Sequence, residues 1–377
     1  MHSSTFLTIG VMNARKDHRY LGTDFRAPSS LSGTRSATNV GTSRKVAMIL
    51  EFVRPEDIVR QRWAATGRPP VDLSLMARAF VAKMELNLDT TKRLIETLKS
   101  DEVLRRILGF PGKVPSNATF SRAFHEFSRI NLARQIHEAL KSRVLDRGAI
   151  VIDTSLDATA IEGREKAAKK TAPASSPSAP RKRGRPRKGA ARPEKEKTRL
   201  QVFCEQKPST IDRALPKDCE WGCKRNSQGK TEYWKGFKLH LLVANGEISL
   251  SAVLTSASVH DSQAAPSLLK MGVRKVTPLY TAMDAAYDAQ PIRTLCHNLG
   301  IVPLIDSNPR GQEKIPLDPA KAERYKSRSS VERVNSLLKE CFGGRHVRVR
   351  GPEKVFAHLM FGIVALTATQ LLRLGMP

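Results

Sequence analysis

The sequence predicts an α/β fold that carries an all-helical domain at its N-terminus, and three patterns support this. Across residues 45–147 apolar side chains recur at spacings of three and four, as in 73–86 and 90–98, which is the period of one buried helix face. At Gly148 the pattern breaks: Ala149-Ile150-Val151-Ile152-Asp153 is a short β-branched run of the kind that lies inside a sheet. Beyond it, strand patterns at 236–244, 248–256, 278–284 and 301–305 alternate with helical ones at 262–271, 291–299 and 319–341, the sign of an α/β core.

Residues 1–44 read as a disordered, cytoplasmic leader. Lys16, Asp17, His18 and Arg19 follow a short apolar stretch instead of preceding it, which is not the order of a signal peptide. Residues 45–147 form the helical N-terminal domain. Within it, Pro115-Ser116-Asn117-Ala118-Thr119-Phe120-Ser121-Arg122 supplies a proline, capping residues and then a helix carrying Ser121, Arg122 and His125. That helix reads equally well as a DNA-recognition helix or as the surface helix of a bundle. Residues 148–377 form the α/β core, interrupted at 164–199 by a basic stretch rich in Ala, Pro and Ser that has too few large apolar residues to bury a core. It is expected to be a disordered linker.

Charge narrows the choice of partner. Lys and Arg number 64 against 36 Asp and Glu, a formal charge of +28, while the hydrophobic share of 40% is that of an ordinary globular chain. Such an excess suits nucleic acid, whose neutralised phosphates release counterions, with an anionic membrane surface as the rival. The apolar run 356–372 contains His358, Thr367, Thr369 and Gln370 and is shorter than the roughly 20 residues of a membrane span, so it reads as a buried core helix. Five cysteines, Cys204, Cys219, Cys223, Cys296 and Cys341, form no regular framework, which suits reduced thiols. Cys219 and Cys223, with Cys204 and His240 in the same region, have a permissible zinc spacing, but no second pair follows and free thiols are the preferred reading.

The sharpest pattern lies near the C-terminus. Tyr325, Arg328, Glu332 and Lys339 stand at offsets 0, 3, 7 and 14. On a regular helix they fall within an arc of about 60°, spread over about 20 Å. One face then carries an acid flanked by a phenol and two cations, with Arg328 able to grip a phosphate through two parallel hydrogen bonds. Upstream, Asp157 and Asp284 each follow an apolar β run, where side chains emerge at strand ends and α/β sites form. Asp153 lies four residues before Asp157, on the same face of an uninterrupted strand, so either is a candidate first acid.

This spacing resembles the Tyr-Arg-Glu-Lys signature of the DDE transposases encoded by bacterial insertion sequences. Asp157-Ala158-Thr159-Ala160-Ile161-Glu162 resembles their first catalytic segment, and Ala282-Met283-Asp284-Ala285-Ala286-Tyr287 resembles the end of their second-aspartate strand. Tyr233-Trp234-Lys235-Gly236-Phe237-Lys238-Leu239-His240 and Ser256-Ala257-Ser258-Val259-His260-Asp261 are similar to segments between them. The likeness covers most of 153–374 and looks closest to the InsH-like branch. It implies a ribonuclease-H-like catalytic core, with a mixed sheet flanked by helices, and a helical DNA-binding domain ahead of it. It also implies cleavage and strand transfer on double-stranded DNA in a synaptic dimer or higher oligomer, in the bacterial cytoplasm; the alternatives are a non-enzymatic DNA-binding or architectural protein and a nuclease of the same fold that never joins strands.

What the resemblance implies for the site is specific. Asp157, Asp284 and Glu332 would be the catalytic metal ligands, Asp157 being favoured over Asp153 because it fits the family segment. Magnesium is the expected ion, with manganese as a substitute, since both take oxygen ligands. Tyr325, Arg328 and Lys339 would contact DNA. His260 and Asp261 read either as a helix start or as neighbours of the site. In the linker, Arg181-Lys182-Arg183-Gly184-Arg185-Pro186-Arg187-Lys188-Gly189 resembles an AT-hook, in which Arg183 and Arg185 would enter a narrow minor groove; generic phosphate binding is the alternative.

Overall fold

The computed structural model describes residues 8–9, 35–59, 71–168, 196–225 and 228–375, apart from positions 111, 147, 149, 275, 310, 312 and 314. Strand β1 (Thr8–Ile9) pairs in parallel with β2 (Ile150–Val151). Among the described residues the α-helices between β1 and β2 are α1 (Arg35–Val53), α2 (Leu73–Glu85), α3 (Thr91–Ser100), α4 (Glu102–Ile107), α5 (Asn117–Arg129) and α6 (Leu132–Leu145). Their starts are set by side-chain caps. Asp72 accepts from the Ser74 amide, Thr90 from that of Arg93 and Ser116 from that of Thr119, each satisfying one amide of a first turn. The chain leaves α2 through Asn87, whose positive φ of 47° suits an asparagine at a helix end.

Helix α1 begins at Arg35, inside the stretch expected to be a disordered leader. Its stripe of Val46, Ile49, Leu50 and Val53 is fully buried and anchors the helix, whose backbone continues upstream of the apolar residues. Most of the expected linker and its Arg183–Arg185 core lie outside the described residues. The linker's expected end is the N-terminus of a capped helix, α7 (Arg199–Glu205), with Thr198 and Gln201 closing a capping box. Helix α8 (Pro208–Ala214) follows.

The sheet is mixed. Strand β3 (Asp153–Glu162) is central, flanked by β5 (Thr231–Ala244) and β7 (Tyr280–Met283). β5 runs antiparallel to β3 and carries β4 (Glu220–Arg225) and β6 (Ile248–Ser256) as further antiparallel neighbours. β7 is parallel to β3, and β8 (Val302–Ile305) is parallel to β7. Gly236 is required where β5 meets the end of β3: a Cβ there would lie 2.1 Å from the Ile161 carbonyl oxygen.

Helices cover both faces. On one side, α7, α9 (Ala265–Gly272) and α10 (Gln290–Asn298) bury Leu156, Leu242, Met283 and Tyr287. On the other lie α11 (Pro319–Tyr325), α12 (Ser329–Cys341) and α13 (Pro352–Arg373). α13 is the one helix among the described residues long and apolar enough to cross a membrane, but its apolar window is 89% buried inside the fold. It packs against α1, α2, α5, α6 and β6, with Phe361 among Phe80, Phe124 and Phe127. The N-terminal helices therefore share one continuous apolar core with α12, α13 and the sheet, and the expected boundary near residue 147 does not divide that core.

Gly362 lets α12 and α13 approach closely: a Cβ there would sit 2.5 Å from the Phe342 carbonyl oxygen and 2.9 Å from Leu338. Backbone cannot yield as a flexible side chain does, so Gly362→Ala is expected to overpack this contact at a cost of about 1–3 kcal/mol. The better helix propensity of alanine offsets about 1 kcal/mol of that. Urea unfolding should show a lower midpoint at unchanged slope; a midpoint equal to or above that of the parent would contradict the close approach.

Candidate active site

Strand register creates the acidic centre. β3 and β7 pair from Asp153↔Tyr280 to Leu156↔Met283, and the next residue on each strand is an aspartate, Asp157 on β3 and Asp284 on the segment leaving β7. Neighbouring strands lie about 4.8 Å apart, so the two carboxylates crowd together. Asp157 does not end its strand as expected: β3 runs on to Glu162, and what ends beside Asp157 is the ladder to β7. Asp284 does leave a strand end, and one of its oxygens accepts from the Ala286 amide at 2.9 Å to cap a 3-10 turn.

The second half of the site comes from the C-terminal helices. The expected single helix is in fact α11, a 3-10 turn over Lys326–Arg328 and then α12. The tighter turn aligns side chains three apart, which keeps Tyr325 and Arg328 on one side before α12 carries Glu332 and Lys339 onward. α12 is pinned to β3 by Ser330 and Ser155, whose hydroxyls lie 2.7 Å apart, and by Asn335, which donates to Asp157 at 3.3 Å. Asn335 went unnoticed in the sequence, although it stands three residues after Glu332 and seven after Arg328, the spacing of one helix face.

Arg328 joins the three acids. Its guanidinium lies 2.6 Å from Glu332, 3.6 Å from Asp157 and 3.8 Å from Asp284. Burial pushes the Asp157 carboxyl up to about 6, with Arg328 pulling it down and Asp284 pushing it further up. Burial raises Asp284 as well. Tyr325 is pushed up to about 12, chiefly by burial, so its phenol stays a hydrogen-bond donor at neutral pH. Lys339 is lowered by burial and by the neighbouring Lys224 and Arg345, and feels the opposing charges of Glu162 and Asp157.

Other candidates fall around this centre or away from it. Asp153 shares the face of Asp157, but four residues along a strand separate them by about 13 Å. Burial raises the Asp153 carboxyl, and the charge of Arg324, which stacks over Tyr280, opposes that rise. His260 caps the turn Asp261–Gln263, while Asp261 pairs with Lys238 at 2.8 Å and adds negative charge near Asp157 and Asp284. Arg122 is on the exposed face of α5, outside the acidic cluster. The cysteines do not converge: Cys204 donates to the Pro291 carbonyl, Cys219 to that of Glu165, and Cys223 is exposed. His240 is buried against Thr255.

Residues 154–368 match the family described as Transposase DDE domain, and residues 39–126 match the family described as Transposase domain (DUF772). The chain belongs to the DDE transposases, DNA-acting proteins that generally use divalent metal ions. Searches of curated proteins and of solved structures each found no match. Among the described residues no group of three or more His, Cys, Asp or Glu side chains is placed to hold a metal ion as it stands, and Arg328 occupies the space between the acids. The donor set still fits a hard divalent ion: three carboxylates, two of them raised by burial, around a position already filled by a cation.

The crowding makes a titration prediction. In metal-free protein the Asp157 carboxyl should titrate near pH 6 by carboxyl-resolved carbon NMR. Removing a like charge stabilises its ionised form, so Asp284→Asn should lower that midpoint, whereas Arg328→Gln should raise it. Midpoints that stay put in both variants would mean the three groups are not in contact.

Proposed function

We propose that this chain is the transposase of a bacterial insertion sequence, of the InsH-like branch, which cuts DNA at the element ends and joins the freed ends to a target. The observation that carries the reading is the convergence of Asp157, Asp284 and Glu332 on Arg328. A ribonuclease-H-like core is supported by the strand order, with β6, β5 and β3 antiparallel and β7 and β8 continuing in parallel. The helices before the core, with exposed Ser121, Arg122 and His125 on α5, supply the DNA-binding part of the proposal.

Asp157, Asp284 and Glu332 would hold the divalent ions, magnesium in the cell with manganese as a substitute. Bound there, such ions would supply activation of the attacking oxygen and stabilisation of the charge on the departing one. Asn335 fixes the orientation of Asp157. Arg328 neutralises the acids in the free protein and turns to a non-bridging phosphate oxygen when the acids are otherwise engaged. Tyr325 donates its phenolic proton to the backbone, and Lys339 holds a phosphate farther along the strand.

Two displacements follow. Water attacks the phosphorus at an element end, a new P–O bond forms, and the bond to the 3′ oxygen breaks, leaving a 3′ hydroxyl. That hydroxyl then attacks a target phosphorus and displaces the target's own 3′ oxygen, so one phosphodiester replaces another and no high-energy cofactor is consumed. Two such active sites in a synaptic dimer would treat the two ends together.

The test is strand transfer in vitro with element-end DNA and magnesium. Asp157→Asn, Asp284→Asn and Glu332→Gln should each lower cleavage and joining by at least about 100-fold, the scale of losing a transition-state stabiliser, while leaving duplex binding by anisotropy intact. Asp153→Asn should stay active. Full activity in Glu332→Gln would refute the site, and an inactive Asp153→Asn beside an active Asp157→Asn would move the first acid to residue 153. Arg328→Ala should tighten manganese binding in calorimetry while weakening joining; unchanged or weaker binding would mean Arg328 does not compete with the ion.

A further inference from the structure

A second cationic site lies away from the acids, at the seam between the N-terminal helices and the sheet. A cavity of about 260 Å³ opens there, with Lys83, Thr91, Lys92, Asn117, Arg164 and Arg348 in its lining and Asp89 as the one acid. Lys83 is only 4% exposed, and its ammonium has a single hydrogen bond, 3.4 Å to the Asp89 carbonyl. Burial lowers it to about 8, so it is still largely charged at neutral pH. The Asp89 carboxylate offsets part of the cost of burying this ammonium, and a bound anion would offset the rest. The exposed Arg164 and Arg348 adjoin each other, Arg164 donating to the Arg348 carbonyl at 3.0 Å, and neither has an acidic partner within 4 Å among the described residues.

Two helices start at the same cavity. Thr90 caps α3 by accepting from Arg93, and Ser116 caps α5 by accepting from Thr119, which leaves the amides of Thr91 and Lys92 and of Asn117 and Ala118 without intrahelical partners. Both positive helix ends therefore add to the four cationic side chains.

We propose that this cavity is a phosphate-binding site that anchors one backbone phosphate of the DNA whose scissile phosphate lies at Asp157, Asp284 and Glu332. The proposal rests on reading the chain as a DNA-processing enzyme. Arg164 and Arg348 grip the phosphate at the rim, Lys83 neutralises it from within, and the first turns of α3 and α5 donate backbone amides. The anchor ties the DNA to the helical layer and the α12–α13 connection at once, fixing its position relative to the catalytic helix face.

The test uses full-length protein, the variants Lys83→Met and the pair Arg164→Gln with Arg348→Gln, and two probes. With element-end duplex, anisotropy across a salt series should show affinity falling about tenfold in the arginine pair and the slope of log affinity against log salt becoming shallower by about one. With inorganic phosphate at constant ionic strength, thermal unfolding should show stabilisation of the parent that Lys83→Met loses. Duplex binding with unaltered salt slope in the arginine pair would overturn the proposal even where phosphate stabilises the parent, since the pocket would then take free phosphate only. Absence of both effects would also overturn it. The arginine pair is on the surface and carries the test if Lys83→Met fails to fold. Cleavage assays on Asp157→Asn judge the catalytic reading separately, because that variant keeps this pocket.

Discussion

Crowded negative charge at one edge of the β3–β7 pair is the constraint around which the site is built. Parallel register sets Asp157 beside Asp284, and α12 brings Glu332 over them. Carboxylates this close and partly buried resist ionising together, so a cation must sit among them or a proton must be taken up. In the free protein that cation is Arg328, within 4 Å of all three acids. A site built this way is poised to exchange one cation for another, and the displaced guanidinium is left beside the phosphate that the exchange would bring.

The position of α12 is a packing problem solved elsewhere. α13, the last helix, runs through the middle of the helical layer and carries α12 on its flank, where Gly362 leaves room for Leu338 and the carbonyl of Phe342. The hydroxyl pair of Ser155 and Ser330 then fixes α12 against the sheet from its other side. Asn87 ties the seam by donating to the Glu340 carbonyl and accepting from the Gly343 amide. The N-terminal helices are thus part of what holds the α12 face bearing Glu332 in place, because they share its core.

Much of this was legible in the sequence. The helical spacing of Tyr325, Arg328, Glu332 and Lys339 points to one shared face, although α11, a 3-10 turn and α12 form it in place of one unbroken helix, and the apolar strand ahead of Asp284 points to that residue. β3 was harder, because Asp157-Ala158-Thr159-Ala160 has small and polar residues where a half-buried strand ordinarily shows large apolar ones. Its pairing on both sides, not its propensity, makes it a strand. The 3-10 turn at Lys326–Arg328 left no signal, since a helical period does not distinguish three residues per turn from 3.6 over so short a span. Nor does any local pattern reveal that the final helix belongs to the core of the first ones, or that Lys83 is buried beside arginines about 80 and 265 residues away.

The most direct measurement of the central claim is anomalous diffraction from crystals of the full chain soaked in manganese. Manganese peaks should appear within coordination distance of Asp157, Asp284 and Glu332, with the Arg328 guanidinium moved out from between them. Peaks at Asp153 instead, or a guanidinium still seated among the three acids at saturating manganese, would contradict the account.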